Sequence, residues 1–373
     1  MLNVDCIDFR GGAPVQVHDI AVIRGDGIGP ELVDAALTVL GAVTGRGGFE
    51  LRYTDVDAGA DTYRRTGVAC SPEDLEYLRT GVAATLKGPV GLPDVRFPDG
   101  TEAGLLGGIL RIGLDAYANV RPALLLPGVT SALGGVKAGG IDYVIVRENT
   151  EGLYASRGKG VGNRWAVSDT LMATREGTLR ICRRAFELAA ARGGAPGDGK
   201  HRVTCVDKSN VLRSHALFRE IFFEVAAEYP DIETEVLYAD AAAQALVLRP
   251  GDFDVLVMEN FLGDVLSDLG GATVGGISLC GSGNIGDVSA YFEPIHGSAP
   301  SIAGKGLANP IGQILAAAMM LDHLHHTAEG DLVRAAVAGA LEAGDITLRP
   351  DGSAAGGPQA VAEAVAARIS PSR

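Results

Sequence analysis

The chain contains 373 residues, 47% of them hydrophobic, and carries a formal net charge of −14 at pH 7. A chain of this length and apolar content buries large cores and is long enough for about two domains. Its acidic balance argues against nucleic acid or an anionic membrane as a partner, because both require a basic face.

The cysteines and the apolar stretches exclude further classes of protein. The five cysteines are far apart and form no Cys-x-x-Cys pair, so the sequence predicts neither a disulfide framework nor a zinc site. Acids stand at Asp5 and Asp8, and no stretch approaches the roughly 18 apolar residues of a membrane span, so neither a signal peptide nor a transmembrane helix is expected. A cytoplasmic enzyme is the expectation.

Short apolar strands alternate with longer helical stretches, which is the pattern of an α/β fold. Strands are predicted at 20–23, 143–147, 202–206 and 255–258. Helices are predicted at about 172–192, 211–228 and 311–325. The segments 88–104 and 193–200, rich in Gly, Pro and Asp, are predicted as loops.

The turn after the first strand does not carry the dinucleotide-binding fingerprint. Its glycines are Gly25, Gly27 and Gly29, and Pro30 follows, so the spacing fails G-x-G-x-x-G. Pro30 suits the first turn of a helix. The sequence therefore predicts an α/β fold without a Rossmann phosphate loop.

Two carboxylates stand four residues apart in the segment 260–268, NFLGDVLSD. If the chain after Gly263 is helical, Asp264 and Asp268 project from one face, one turn apart, as ligands of a hard divalent cation do. A solvated surface helix can carry the same spacing, so the pattern alone leaves both interpretations open.

Three arginines of the first half of the chain lie in apolar surroundings, namely Arg111, Arg121 and Arg147. Each guanidinium needs an anion, because an unpaired charge in a low dielectric costs on the order of several kcal/mol. They either form separate ion pairs or bind one polycarboxylate through bidentate contacts.

Six collinear segments resemble the isocitrate and isopropylmalate dehydrogenase family, the β-decarboxylating, metal-dependent 2-hydroxy-acid dehydrogenases. They are IAVIRGDGIGPELVDAAL (20–37), LRIGLDAYANVRP (110–122), VIVRENTEGLY (144–154), VDKSNVL (206–212), NFLGDVLSD (260–268) and FEPIHGSAPSIAGKGLANP (292–310). Six motifs in one order are far more specific than any one of them.

The resemblance implies a two-domain isocitrate/isopropylmalate dehydrogenase-like fold in which the small domain is inserted into the large one. We place the crossings near 118 and 274. Residues 1–117 and 275–373 would form the large cofactor-binding domain, and residues 118–274 the small domain with the dimer interface and the metal site. In the family each active site is completed by the neighbouring subunit, so a homodimer with shared sites is implied.

Carried over residue by residue, the resemblance implies how a small polyanionic 2-hydroxy acid and a metal ion are held. The substrate carboxylates would be bound by Arg111, Arg121 and Arg147. A Mg2+ or Mn2+ ion would be bound by Asp264 and Asp268 of one subunit and Asp240 of the other. The ion would acidify the substrate hydroxyl and stabilise an enolate.

The resemblance also implies the transfer steps. Lys208, reaching across the dimer, would take the hydroxyl proton, and Tyr154 would protonate the enol after CO2 has left. Hydride would pass from C2 to the nicotinamide, with Asn210 near its ribose or amide. The plainer alternatives are that Lys208 is a solvated loop lysine, that Tyr154 closes a turn after Gly152, and that Asp240 caps a helix.

The segment 292–310 would cover the adenosine of the cofactor. The residues implied to line it are Glu293, His296, Gly297, Ser298, Ala299 and Asn309. After Ala-Pro, NAD-using relatives usually carry Asp and NADP-using relatives often Lys-Tyr, whereas this chain carries Ser301 and Ile302. A serine neither repels nor attracts a 2′-phosphate. NAD is the expectation, because Ile302 followed by Ala-Gly resembles the NAD branch, and NADP stays open.

The substrate-selecting positions match neither branch of the family. Isopropylmalate enzymes carry two leucines where this chain has Gly107 and Gly108, and isocitrate enzymes carry Ser and Asn where it has Leu105 and Gly107. We predict metal-dependent oxidative decarboxylation of a 3-substituted malate with hydride transfer to NAD(P)+, for example in a specialised pathway such as phosphonate synthesis. The alternatives are a tartrate or D-malate dehydrogenase and a non-catalytic regulatory subunit of a related hetero-oligomer.

Overall fold

Strands and helices alternate along most of the chain. The structure, a computed structural model, describes residues 15–97 and 100–369. The strands are β1 Gln16–Ile23, β2 Phe49–Asp55, β3 Ala84–Lys87, β4 Ala118–Leu124, β5 Asp142–Glu148, β6 Val161–Asn163, β7 Ala166–Ser168, β8 Arg202–Asp207, β9 Glu233–Tyr238, β10 Val255–Met258, β11 Gly281–Ile285 and β12 Ala290–Pro294. The helices are α1 Gly29–Gly47, α2 Ala60–Thr66, α3 Pro72–Thr80, α4 Leu106–Gly113, α5 Arg175–Ala191, α6 Arg213–Ala226, α7 Ala239–Leu248, α8 Asn260–Thr273, α9 Ile311–His323, α10 Thr327–Glu342 and α11 Gly357–Ile369.

The α/β prediction is confirmed. Each predicted strand lies within an observed one, namely β1, β5, β8 or β10. The three predicted helices correspond to α5, α6 and α9, which are a few residues shorter. Helix α5, for example, begins at Arg175 because the Thr174 side chain accepts a hydrogen bond from the Gly177 N–H and caps the first turn.

The chain divides into two compact units. One contains the residues up to Ile109 and those from Val288 onward, and the other is Leu110–Asp287. The second unit is thus inserted into the first. The predicted domains, residues 1–117 with 275–373 and residues 118–274, and the roles given to them stay predictions.

The sheet of the first unit is parallel, with the strand order β2-β1-β3-β12. The last four residues of β1 are buried, while its first half is partly exposed. Helices α1, α9, α10 and α11 pack against one another, and α9 also packs on β12 and β3. These contacts bury the apolar faces that the alternating pattern provides.

The turn between β1 and α1 is glycine-rich because other backbone segments approach it closely. Gly25 and Gly27 have φ angles of +76° and +58°. A Cβ at Gly25 would lie 2.2 Å from the Pro89 carbonyl oxygen, and one at Gly27 would lie 2.1 Å from that of Ser298. Between them, the Asp26 carboxylate accepts hydrogen bonds of 2.8–2.9 Å from the N–H groups of Ala60, Asp61 and Gly91. The glycines therefore serve backbone packing, in agreement with the absence of the dinucleotide fingerprint.

The sheet of the second unit has the strand order β11-β4-β5-β10-β8-β9. Strands β5, β10, β8 and β9 are parallel, and β4 runs antiparallel to β5 and β11. Helix α8 packs on β5 and β4, and α5 packs on β10 and β5. Because β5, β8 and β10 are parallel, their carboxyl ends share one edge of the sheet, which is where open α/β sheets bind ligands.

The strands β6 and β7 form a separate antiparallel hairpin in this unit. All six of its strand residues are exposed. Among the described helices, none is long and apolar enough to cross a membrane.

Candidate active site

Helix α8 carries the two aspartates on one face. The helix begins after Glu259, whose carboxylate accepts hydrogen bonds from the N–H groups of Phe261 and Leu262 at 2.9 and 2.8 Å. Asp264 and Asp268 therefore lie one turn apart, as their spacing predicts. Their side chains are 35% and 58% exposed, so both carboxylates remain accessible at the sheet edge.

Arg147, at the end of β5, is fully buried beneath this helix. Its Nη1 pairs with Asp264, and its Nε and Nη2 donate to the Asn260 side-chain oxygen at 3.1 and 2.7 Å. A Cβ at position 263 would lie only 2.5 Å from the Arg147 Cγ, so Gly263 is required for the arginine to pass along α8. The Gly in NFLGD is thus a packing residue for the arginine.

Arg121, on β4, shares the same aspartates. Its Nη1 lies 3.4 Å from Asp264 and 3.7 Å from Asp268, and donates to the Ser267 hydroxyl at 2.6 Å. Its Nε donates to the Asn119 side-chain oxygen at 2.5 Å. Arg121 and Arg147 therefore belong to one cluster rather than to separate ion pairs.

The charge of Arg111, in the last turn of α4, also acts on this cluster. Burial, followed by repulsion from Arg111 and Arg121, lowers the pKa of Arg147 to about 9. Burial alone would raise the pKa of Asp264, but Arg147 and Arg121 outweigh it and hold that pKa below its usual value. The structure thus brings the three predicted arginines into mutual electrostatic influence around Asp264.

Tyr154 joins the cluster from the 3₁₀ turn Leu153–Ser156. Its hydroxyl donates to the second carboxylate oxygen of Asp264, and the Arg147 guanidinium carbon lies 5.3 Å from its ring centroid. Burial, and then the negative charge of Asp264, raises the pKa of Tyr154. The tyrosine does lie in a turn after Gly152, but its hydroxyl also faces the predicted site, and it keeps its proton at neutral pH.

Lys208 and Asp240 form a second group in the same unit. Lys208 is the first residue after β8, and its Nζ contacts the Asp240 carboxylate at 2.5 Å and lies 5.5 Å from the Tyr238 ring centroid. The hydrogen bond from Lys208 holds the pKa of Asp240 below its usual value. Helix α7 has Tyr238 at its N-cap, so the alternative that Asp240 caps it is wrong. Asn210 follows in an exposed turn.

Oxygen donors suitable for a hard cation are present on α8, where Asp264 and Asp268 face the same side. Burial raises the pKa of Asp268, although Arg121 opposes this shift. Within residues 15–97 and 100–369 of one chain, no three His, Cys, Asp or Glu side chains converge as metal ligands. Two of the three predicted metal ligands are thus on one helix, and Asp240 pairs with Lys208.

The predicted cofactor segment belongs to the first unit. Ser298 is buried, its hydroxyl donates to the Gly91 carbonyl, and its own carbonyl accepts from the Ile28 N–H at 2.8 Å. His296 is held by a 3.0 Å contact between its Nδ1 and the Gly297 carbonyl, and burial lowers its pKa. This part of the segment is therefore anchored to the glycine-rich turn.

Further along, exposure separates the two variable residues. Ser301 is exposed in the 3₁₀ turn Pro300–Ile302, which follows Ala299 at φ +36°, whereas Ile302 packs against the cluster of Ile28, Leu32 and Ala308. Asn309 precedes Pro310, the N-cap of α9, and its side-chain oxygen accepts from the Ile311 N–H at 3.1 Å. Of the pair, Ser301 is the one available to a ligand.

Three buried polar groups were missed by the sequence analysis. Asn260 orients Arg147 through two hydrogen bonds. Lys87 is 1% exposed and pairs with Glu293, and Asp26 holds three backbone N–H groups. The signal for Lys87 was a lysine ending an apolar strand directly before Gly-Pro, which is rare unless the charge is paired.

Comparison with known proteins agrees with this architecture. The family model described as isocitrate/isopropylmalate dehydrogenase matches residues 19–356. The 3-isopropylmalate dehydrogenase of Thermobifida fusca is 44% identical over 332 residues, covering 87% of this chain and 91% of the relative. That of Streptomyces griseus is 40% identical over 359 residues, covering 94% and 98%.

Solved structures give the same result. The isocitrate dehydrogenase from Methylococcus capsulatus superposes with a TM-score of 0.83 at 37% identity, covering 94% of this chain and 99% of that one. The β-decarboxylating dehydrogenase TK0280 from Thermococcus kodakarensis gives 0.76 at 39% identity, covering 94% and 96%.

Fold and site thus define a decarboxylating dehydrogenase, an oxidoreductase. The chain belongs to the isocitrate/isopropylmalate dehydrogenase family, whose members use a nicotinamide dinucleotide and a divalent metal ion.

Proposed function

We propose that this enzyme oxidatively decarboxylates a 3-substituted malate and transfers the hydride to NAD+ or NADP+. The observation that carries the proposal is the cluster in which Arg147 and Arg121 pair with Asp264 while the Tyr154 hydroxyl donates to the same carboxylate. Anion-binding, metal-binding and proton-donating groups therefore meet at one carboxylate. That combination is what a metal-dependent β-decarboxylation of a polycarboxylate requires.

The charge of the cluster supports a polyanionic substrate. Three guanidinium groups, each carrying one positive charge, act on the Asp264 carboxylate there. A divalent cation would add two more. A 3-substituted malate carries at least two carboxylates, and planar guanidinium groups bind carboxylates through parallel hydrogen bonds.

We assign the steps of the proposed reaction to the side chains of this cluster and to Lys208. Arg111, Arg121 and Arg147 bind the substrate carboxylates, and Asp264 and Asp268 hold the cation. A divalent cation, when bound, withdraws electrons from the hydroxyl oxygen and later from the enolate. Lys208 would accept the hydroxyl proton, and a bound nicotinamide would accept the hydride from C2. Tyr154, whose raised pKa keeps it protonated, donates a proton to the enol carbon after CO2 has left.

A substrate panel tests this proposal. The enzyme is incubated with 3-isopropylmalate, isocitrate, D-malate and tartrate, each with NAD+ or NADP+ and with Mg2+ or Mn2+, and both NAD(P)H and CO2 are measured. We expect equimolar NAD(P)H and CO2 from one of the 3-substituted malates. The substrates in the panel differ in the size of the substituent at C3. We include this range because a Cβ at Gly107 would meet open space, so no side chain at that position limits the substituent. Preference for D-malate or tartrate would favour the smaller-substrate alternative, and no turnover at all would favour a regulatory subunit.

A homodimer that shares its active sites is the assembly we propose. The second unit exposes large apolar side chains, with Val161, Trp165 and Val167 on the β6–β7 hairpin 71–80% exposed and Phe261 and Val265 on α8 44% and 53% exposed. Phe261 and Val265 lie on the helix that carries the predicted metal ligands. A second copy of this unit covering that surface would bury apolar area next to the site.

Subunit mixing tests the shared site. Lys208→Met and Asp268→Asn proteins, each inactive, are expected to recover about a quarter of wild-type activity after random exchange, because half the dimers are mixed and each has one intact site. The matched control mixes Asp268→Asn with Tyr154→Phe, which should recover nothing because the Tyr154 hydroxyl contacts Asp264 of its own chain. Recovery in neither mixture after confirmed exchange would mean that each chain builds its own site.

For the cofactor we propose that Ser301 decides between NAD+ and NADP+. Ser301→Asp places a carboxylate where it accepts hydrogen bonds from ribose hydroxyls and repels a 2′-phosphate. A like-charge contact at a partly exposed site is worth roughly 1–3 kcal/mol, so the NAD+/NADP+ ratio of kcat/KM should rise by about 10- to 100-fold. Ser301→Asn, which has nearly the same shape without the charge, serves as the matched control and should change the ratio far less. An unchanged ratio for Ser301→Asp would show that Ser301 does not lie beside the ribose.

A further inference from the structure

The backbone of Lys208 is held by an unusual set of contacts. Its carbonyl accepts hydrogen bonds from the N–H groups of Val211 and Leu212 at 3.0 and 2.9 Å. Its own N–H donates to the Nδ1 atom of His215, in the first turn of α6, at 2.8 Å. A single imidazole therefore receives the N–H of the residue that carries the amine.

His215 is only 2% exposed, and its protonation state follows from this contact. Since Nδ1 accepts the Lys208 N–H, the imidazole proton resides on Nε2. That Nε2 is buried and has no hydrogen-bond partner among the described residues. Burial lowers the pKa of His215, against the opposing charges of Glu259 and Asp207, so the ring is neutral at neutral pH.

The neighbouring Asp207 is fixed independently. Its carboxylate accepts two hydrogen bonds from Arg219, at 2.7 and 2.9 Å, and one from the Ser209 N–H at 2.8 Å. These bonds order the residues on both sides of Lys208. The N–H of Lys208 itself depends on His215. An apolar side chain at position 215 would leave the Lys208 N–H without this acceptor.

We propose that His215 is a positioning residue that fixes the direction in which Lys208 leaves β8. The proposal rests on the proposed function, in which Lys208 accepts the substrate proton. The backbone N–H of Lys208, held on the imidazole, sets the Cα–Cβ direction from which the amine reaches Asp240 and the substrate. Without an acceptor at Nδ1, the Cα–Cβ bond of Lys208 would no longer be held in one direction. A displacement of about 1 Å of a reacting group costs on the order of 100-fold in rate.

Asn and Gln substitutions separate the role of Nδ1 from burial. The amide oxygen of His215→Asn lies near the position of Nδ1, whereas that of His215→Gln lies near the position of Nε2. Both variants keep a polar amide at the site. His201→Gln is the control, because His201 precedes the same strand and its Nδ1 contacts the Ala189 carbonyl at 2.7 Å, away from Lys208.

Two readouts are taken on the full-length protein with Mg2+ and NAD+. The first is amide hydrogen exchange of a peptide covering 206–212, and the second is kcat and KM for the best substrate of the panel. We expect His215→Gln to speed exchange of this peptide by at least tenfold and to lower kcat by roughly 10- to 100-fold with KM within about threefold. His215→Asn should stay within about threefold of wild type in both.

Equal losses in the Asn and Gln variants, or unchanged exchange and kcat in the Gln variant, would overturn the proposal. Failure of the proposed function would give a different result. Wild type would then turn over no member of the panel, while the exchange of 206–212 would still report whether His215 anchors Lys208.

Discussion

Replacement of Asp268 by asparagine is expected to abolish turnover. The substitution keeps the shape of the side chain and removes one negative charge from the proposed cation site, whose ligands are carboxylate oxygens. Among the described residues, Asp268 has one ion-pair contact, to Arg121 at 3.7 Å, and its side chain is 58% exposed, so the change should leave the fold intact. We expect kcat/KM to fall by at least about 1,000-fold, which corresponds to about 4 kcal/mol of transition-state stabilisation.

The measurement is the steady-state rate across a range of Mg2+ and Mn2+ concentrations, together with the thermal midpoint. Asp331→Asn is the matched control, because Asp331 also lies on a helix and pairs with Arg334 at 2.7 Å, away from the cluster. Wild-type protein in excess EDTA should be inactive and should recover on addition of Mg2+ or Mn2+. Full activity in EDTA, or a fully active Asp268→Asn variant, would contradict the proposal that the reaction requires a metal ion bound by Asp268.

The Asp264→Asn variant tests the proposed metal binding less directly. The Asp264 carboxylate receives Arg147, Arg121 and the Tyr154 hydroxyl, so its neutralisation would leave the fully buried Arg147 without its carboxylate partner. Breaking a buried ion pair on one side costs about 3–5 kcal/mol. Asp264→Asn should therefore lower stability as well as activity, whereas Asp268→Asn should lower activity alone.

Much of the fold could be predicted from local pattern. The strands predicted at 143–147, 202–206 and 255–258 lie within β5, β8 and β10, because buried parallel strands are continuous apolar runs. The four-residue spacing of Asp264 and Asp268 predicted one helix face because α8 is regular there. These predictions required only the sequence within a few positions of each residue.

The contacts within the cluster could not be predicted this way. Arg147 and Asn260 lie 113 residues apart and meet because β5 and β10 are neighbours in the sheet. The need for glycine at position 263 appears only when Arg147 is seen passing beneath α8. His215 carried no motif at all, since its role depends on where the loop after β8 returns to the start of α6.

Lys208 and Tyr154 are expected to act at different steps, and this can be measured. Lys208→Met removes the proposed acceptor of the hydroxyl proton, so the burst of NAD(P)H in a single turnover should slow by roughly 10²- to 10⁴-fold. Tyr154→Phe removes the proposed proton donor to the enol, which acts after hydride transfer, so the NAD(P)H burst should be largely kept. With the β-keto acid supplied directly, Tyr154→Phe should slow proton incorporation at C3, the carbon that carried the departing carboxylate, and Lys208→Met should leave that step comparatively fast.

Matched variants separate these effects from simple loss of an ion pair or a hydroxyl. Lys200→Met removes a lysine just before the same strand β8, where its Nζ contacts Glu233 at 2.5 Å, and should be fully active. Tyr117→Phe removes a hydroxyl that contacts Asp287 at 3.2 Å, from a ring that Arg180 also covers, and should be fully active as well. Because Tyr154 donates to Asp264, its Phe variant could weaken metal binding, so the partial reactions are compared at saturating Mg2+. If both site variants lost both partial reactions equally under those conditions, the two residues would act as one unit and distinct roles would be wrong.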